Sequence, residues 1–321
     1  MNTTEENAVR HMEVSADDDD IRVDRWFKRH FPNVPYGQLA KWLRTGQVRV
    51  DGGRVKPGVR LSSGQEIRLP PMAPVTAKTE RTHPVVPPKV AADLQSRVIY
   101  KDDHVIAINK PSGLAVQGGS GTTRHVDGML DALRYDASEC PRLVHRLDKD
   151  TSGVLLLART RQAAQTLSRS FQGRTVEKVY WALVMGLPEV EAGTIDAPLE
   201  KRGGLGHEKM EAADEGQFAE TDYRVIDNAA GRVAWLELRP RTGRTHQLRA
   251  HCALMGNPIL GDGKYGGRES FFAGLPKRLH LHAQSLSLPH PAGGERLQVS
   301  APLDDELHES WKFLGFNAKT A

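Results

Sequence analysis

An aspartate set among cations is the most chemically suggestive feature of this 321-residue chain. The run Val144-His145-Arg146-Leu147-Asp148-Lys149-Asp150-Thr151-Ser152-Gly153 places Asp148 beside three basic side chains. It leads directly into Val154-Leu155-Leu156-Leu157-Ala158, an apolar stretch that predicts a buried strand. Flanking positive charge favours an ionised carboxylate, which could act as nucleophile or base without a metal. A lone aspartate before a strand more commonly serves a turn by bonding local backbone. The other motifs of the chain reverse that preference.

Asn109-Lys110-Pro111-Ser112-Gly113 precedes the aspartate loop, and Lys178-Val179-Tyr180-Trp181-Ala182 follows it. Further on come Gly243-Arg244-Thr245-His246-Gln247-Leu248-Arg249 and Leu279-His280-Leu281-His282-Ala283. In order and spacing, these segments resemble the conserved motifs of the RluA-type pseudouridine synthases. The resemblance covers roughly residues 20 to 315. The segment from Val48 to Pro71 and that from Ala115 to Gly121 are most similar to subgroup C, which acts on large-subunit (23S) ribosomal RNA. One departure is Gln117, where many relatives carry histidine.

The resemblance implies isomerisation of uridine: the bond from ribose C1′ to uracil N1 breaks, and the base rejoins through C5. No redox change or energy input is involved, so no cofactor is expected. Asp148 takes the role of the catalytic carboxylate, by covalent attack or by removing a ribose proton. Arg249 matches its guanidinium partner. Tyr180 matches the tyrosine that could stack on uracil or relay a proton. Leu281 resembles the apolar wall of the base pocket. Lys110, Arg146 and Arg244 could contact phosphate or shape the loop. A stacked uridine must be flipped out to reach such a site, at a cost of a few kcal/mol.

Two other function classes fit parts of the pattern. A non-catalytic RNA-binding or ribosome-assembly factor would need only the basic residues. A metal-free glycoside or nucleoside hydrolase would need a second acid, for which Asp150 and Asp262 are the candidates. His246, His251, His280 and His282 do not have zinc-protease spacing, and no metal is expected.

Net charge is only +4, but it is unevenly spread. Residues 1–20 hold seven acids against Arg10 and read as a disordered acidic tail. Residues 21–70 hold eleven Lys or Arg against three acids. Val23, Trp26, Phe27 and Phe31 recur at helical spacing, as do Leu39, Trp42 and Leu43. Arg22, Arg25, Lys28, Arg29, Lys41 and Arg44 occupy the other faces. Two basic helices followed by small strands resemble the S4-type RNA-binding fold, and these six side chains are its candidate RNA contacts.

Prolines between 70 and 88 suggest an extended linker over 71–96. The remaining 97–321 forms the second domain. Strand-like runs at Val98–Ile108, Val179–Met185 and Ala234–Leu238, with a helix over Arg161–Phe171, predict an α+β fold with a mixed, largely antiparallel sheet. Thr245 is placed to cap a helix that Gly256 ends. No apolar run has membrane-spanning length and no signal pattern is present. The two cysteines, Cys140 and Cys252, read as reduced. A cytoplasmic monomer is therefore the expected state, with ribosomal RNA, free or in an assembling large subunit, as partner.

Overall fold

A computed structural model describes residues 9–71, 86–118, 122, 124–173, 175–204 and 208–318. The chain divides into two compact units, residues 1–82 and 83–321.

The first unit runs β1 (Arg10–Glu13), α1 (Val23–His30), α2 (Tyr36–Thr45), β2 (Arg49–Val50) and β3 (Glu66–Leu69). The strands form an antiparallel sheet in the order β1-β3-β2. Trp26, Phe27, Phe31, Leu39 and Leu43 pack its core against Ile67 and Leu69. The apolar periodicity is thus the inner face of both helices. The acidic tail expected over residues 1–20 is structured from Arg10 onward, because β1 pairs with β3. Asp18 is buried there and bonded to Arg29 and to His30. A carboxylate with two basic partners can leave water, and its acidity does not imply disorder.

In the second unit, α3 (Pro88–Ser96) precedes β4 (Val98–Lys101) and β5 (Val105–Lys110). The expected linker is therefore shorter than 71–96. Pro88 occupies the first turn of α3, where its missing N–H costs nothing. Pro74 and Pro84 lie outside the described residues. A 3-10 segment (Val126–Leu133) leads to β6 (Arg142–Leu143), β7 (Ser152–Ala158) and α4 (Arg161–Gln172). Then follow β8 (Glu177–Met185), β9 (Ala192–Asp196), β10 (Leu199–Arg202), β11 (Lys209–Ala212), β12 (Glu220–Ala229) and β13 (Val233–Pro240). The unit closes with α5 (Gln247–Leu254), β14 (Leu281–Pro289), β15 (Arg296–Ser300) and α6 (Asp305–Phe313).

One large sheet carries the order β4-β5-β7-β14-β8-β13-β12-β9, with β6 beside β7 and β15 beside β14. Only the β7–β14 pairing is parallel, so the sheet is mixed and largely antiparallel, as expected. Every residue of β7 is buried, which explains its unbroken apolar run. Clusters on the two faces of the strands, one holding Ile106, Leu155 and Leu157 and one holding Val154, Leu156 and Leu167, form its core. Among the described residues no helix is long and apolar enough to cross a membrane.

Candidate active site

At the centre of the sheet β7 meets β14, and Gly153 explains how. Its φ is +108°, and a side chain there would strike the backbone of Ala283. Glycine alone permits this approach. The contact brings the loop carrying Asp148 beside Leu281 of β14 and, through the β14–β8 pairing, beside Tyr180.

The aspartate loop is braced from three sides. The Lys110 ammonium is fully buried and donates to the carbonyls of Pro111, Leu114 and Lys149 at 3.0, 2.8 and 2.9 Å. Burial pulls its pKa down to about 7, with Asp150 and Asp148 acting in the opposite sense. Of the two roles expected for Lys110, these bonds fit shaping the loop. His145 accepts from the backbone N–H of Leu156 at 2.8 Å and stacks on Phe171 at 4.5 Å. Desolvation and the Lys178 charge lower its pKa to about 3, so it stays neutral and can accept. Ser112 Oγ donates to the Asp150 carbonyl at 2.9 Å.

The opposite wall is the turn from Pro240 to His246. Gln247, at the start of α5, saturates its amide to hold this turn. Its Oε1 accepts from the Thr242 hydroxyl at 2.7 Å and the Arg244 N–H at 3.0 Å. Its Nε2 donates to the Glu220 carbonyl and the Thr221 hydroxyl, both at 2.9 Å. Thr245 does not cap α5. The capping position belongs to His246, in the left-handed region at φ 51°, and its Nδ1 lies 3.1 Å from the Tyr265 hydroxyl.

Between these walls lies a cleft of about 120 Å³. Asp148, Tyr180, Arg249 and Leu281 line it, with Arg146, Arg244, Lys178 and Thr242. Of the seven catalytic and substrate-binding candidates named from sequence, all but Lys110 line this cleft. Asp148 is half-buried, and its carboxylate has no hydrogen-bond partner among the described residues. Burial and the nearby Asp148 charge raise the Tyr180 pKa, so the phenol keeps its proton. Arg146 and Arg244 are exposed; Arg244 Nε donates to the Phe218 carbonyl at 2.9 Å.

Arg249 departs from its expected pairing. Its fork closes on Asp262, with Nε and Nη2 each 2.7 Å from a carboxylate oxygen. Asp262 also accepts the N–H groups of Lys264 and Tyr265, both at 3.1 Å. It is thus fully engaged and is no free second acid for a hydrolase. Burial opposes the Arg249 charge, but Asp262 outweighs it and Asp148 adds to the same effect, so the pKa rises. Arg249 lies within electrostatic reach of Asp148 without gripping it. Tyr265, beneath the guanidinium at 5.1 Å, had no signal in the pattern and is found only through this packing.

In the first unit, Arg29 is committed to Asp18 and Arg22 to Asp24. Arg25, Lys28, Lys41 and Arg44 are exposed and carry no ion pair among the described residues.

Comparison with known proteins points to one family. Residues 104–254, which include Asp148, Tyr180 and Arg249, match the RNA pseudouridylate synthase family. Ribosomal large subunit pseudouridine synthase C of Salmonella typhimurium is 39% identical over 323 residues, covering 98% of this chain and 99% of that protein. The same-named protein of Escherichia coli K12 is 38% identical over 311 residues, 95% of this chain and 96% of the other. Human RNA pseudouridylate synthase domain containing 4 is a structural neighbour with TM-score 0.59 and 30% identity, covering 71% of this chain and 96% of its own. With relatives of such identity spanning nearly its whole length, the chain belongs to the RluA-type RNA pseudouridine synthases and is an isomerase.

Proposed function

We propose that this protein converts specific uridines of large-subunit (23S) ribosomal RNA to pseudouridine, with Asp148 as the reacting carboxylate. The observation that carries the assignment is a carboxylate left without a protein partner in a cleft whose other walls are a phenol, an aliphatic side chain and cations. Near-full-length relatives named for the large ribosomal subunit support the substrate.

Two routes use the same groups. In one, an Asp148 oxygen bonds to C1′ as the C1′–N1 bond breaks; C5 then displaces it. In the other, Asp148 takes the C2′ proton, a C1′=C2′ bond forms as uracil leaves, and C5 adds to C1′ as the proton returns. In both, the C5 proton is lost and N1 gains one, so the product is an isomer. Tyr180 stacks on the flipped base and, as a protonated phenol, can donate to it. Leu281 closes the apolar side of the pocket. Exposed Arg146 and Arg244 meet the flanking phosphates. Arg249 steadies the negative end of the cleft from its seat on Asp262.

The first unit serves as an S4-like RNA-binding module. Arg25, Lys28, Lys41 and Arg44 are its phosphate contacts, and Arg22 and Arg29 act mainly through their carboxylate partners. The protein works as a cytoplasmic monomer on the RNA of the assembling large subunit.

Pseudouridine mapping of 23S RNA from a deletion strain tests the assignment, with complementation by wild type or Asp148→Asn. Wild type restores the missing sites and Asp148→Asn leaves them as uridine. Restoration by Asp148→Asn defeats the catalytic role, and full rescue of growth without modification points to an assembly factor.

A further inference from the structure

Among the described residues, Lys178 is the one cleft lysine or arginine that neither faces solvent freely nor has an acid. Arg249 is spent on Asp262, and Arg146 and Arg244 are exposed. Lys178 is part-buried on β8, two residues before Tyr180, and lines the same cleft. Its Nζ donates to the Thr242 carbonyl at 3.2 Å, and no carboxylate among the described residues pairs with it. Burial lowers its pKa, and no acid offsets that effect. Asp148 lines the same cleft, and no hydrogen bond or ion pair joins it to Lys178 among the described residues. A part-buried ammonium without a counter-ion is costly unless an anion arrives.

The reaction makes such an anion. When the C1′–N1 bond breaks, its electron pair goes to the uracil ring, whether C1′ is then bonded to Asp148 or doubly bonded to C2′. The ring carries a full negative charge over N1, O2 and O4 until C5 bonds to C1′. We infer that Lys178 is a catalytic residue whose ammonium, in the cleft it shares with Asp148 and Tyr180, stabilises the departing uracil anion. It does so most strongly in the transition state, because the bound uridine is neutral. The inference rests on the synthase reading above and adds a residue to it.

The test compares two 23S RNA transcripts, one made with uridine and one with 5-fluorouridine, under single-turnover conditions. Fluorine at C5 withdraws charge and makes the ring a better leaving group without protein help. The readouts are pseudouridine formed and 5-fluorouridine consumed in nucleoside digests. Lys178→Gln keeps a donor for the Thr242 carbonyl and removes the charge. The uridine rate is expected to fall on the order of 100-fold, as for loss of one charge-stabilising donor, and the fluorinated substrate roughly tenfold at most. RNA affinity by filter binding stays near wild type.

The ratio of the two rates decides the matter. A variant that is merely misfolded or mispositioned slows both substrates alike, leaves the ratio at its wild-type value and overturns the proposal. An unchanged uridine rate does the same. Lys178→Met is read in parallel and must shift the ratio in the same direction. If wild type itself forms no pseudouridine, the synthase assignment fails instead.

Discussion

A lysine whose three ammonium hydrogens all rest on carbonyls has none left for a phosphate. Lys110 is such a lysine, and one of its carbonyls belongs to Lys149, next to Asp148. We expect Lys110→Met to leave the slope of RNA affinity against salt unchanged, because no phosphate contact is lost. The variant should lose about 1–3 kcal/mol of stability, the cost of stranding buried acceptors, and its turnover should fall. Denaturant titration, filter binding at several salt concentrations and single-turnover assays check this; a shallower salt slope would return Lys110 to the RNA interface. Asp148, Tyr180 and Leu281 were named from sequence through the resemblance of their motifs, and the fold brings all three to one cleft. The partner of Arg249 was not legible. It depends on how the chain folds back thirteen residues later, and a guanidinium fork fits any carboxylate. The buried Arg249–Asp262 pair ties α5 to the following loop, and removing either member would expose the other to a cost of about 3–5 kcal/mol.

Strands such as β7, β8 and β13 could be read in advance because one period, or one unbroken apolar run, dominates each of them. The element boundaries that were misread involve competing signals. Acidity hid β1, whose partner β3 lies more than fifty residues away. Paired prolines hid the first turn of α3. The histidines of β14 and its approach, which lack zinc-protease spacing, serve as neutral struts between elements. His282 joins Ser152 of β7 to the Ala301 carbonyl at 3.0 and 3.1 Å. His280 reaches the Ser310 hydroxyl of α6 at 3.0 Å. Burial lowers both pKa values from 6.5 to about 4. Below pH 6.5 the unfolded chain takes up protons that the fold refuses until about pH 4. Their contribution, roughly 3 kcal/mol each, is therefore complete above the unfolded value and is lost as acid is added. Urea midpoints should fall steeply from pH 7 to pH 4. His282→Gln should start less stable at pH 7 and lose less over that range; parallel curves for variant and wild type would refute the assignment.

Charge is partitioned between the two units of the molecule. Overall +4 is unremarkable, but eleven of the basic side chains lie in residues 21–70 against three acids. Electrostatic attraction to RNA scales with the cations that actually displace counterions, and ion-paired arginines contribute less. Arg22 and Arg29 are partly neutralised by Asp24 and Asp18, so under the proposed RNA-binding role Arg25, Lys28, Lys41 and Arg44 would carry most of the effect. The cleft belongs wholly to the second unit, whose core includes none of the first forty residues. Deleting residues 1–82 should then leave a chain that melts cooperatively and retains single-turnover chemistry at saturating RNA. Its affinity should drop, and the log–log dependence of affinity on salt should become shallower by roughly 3, at about 0.7–0.9 per lost phosphate contact. An equal slope with and without the module would mean that these four cations do not touch RNA. A truncated chain that fails to fold would mean that the second unit needs the first for more than recognition.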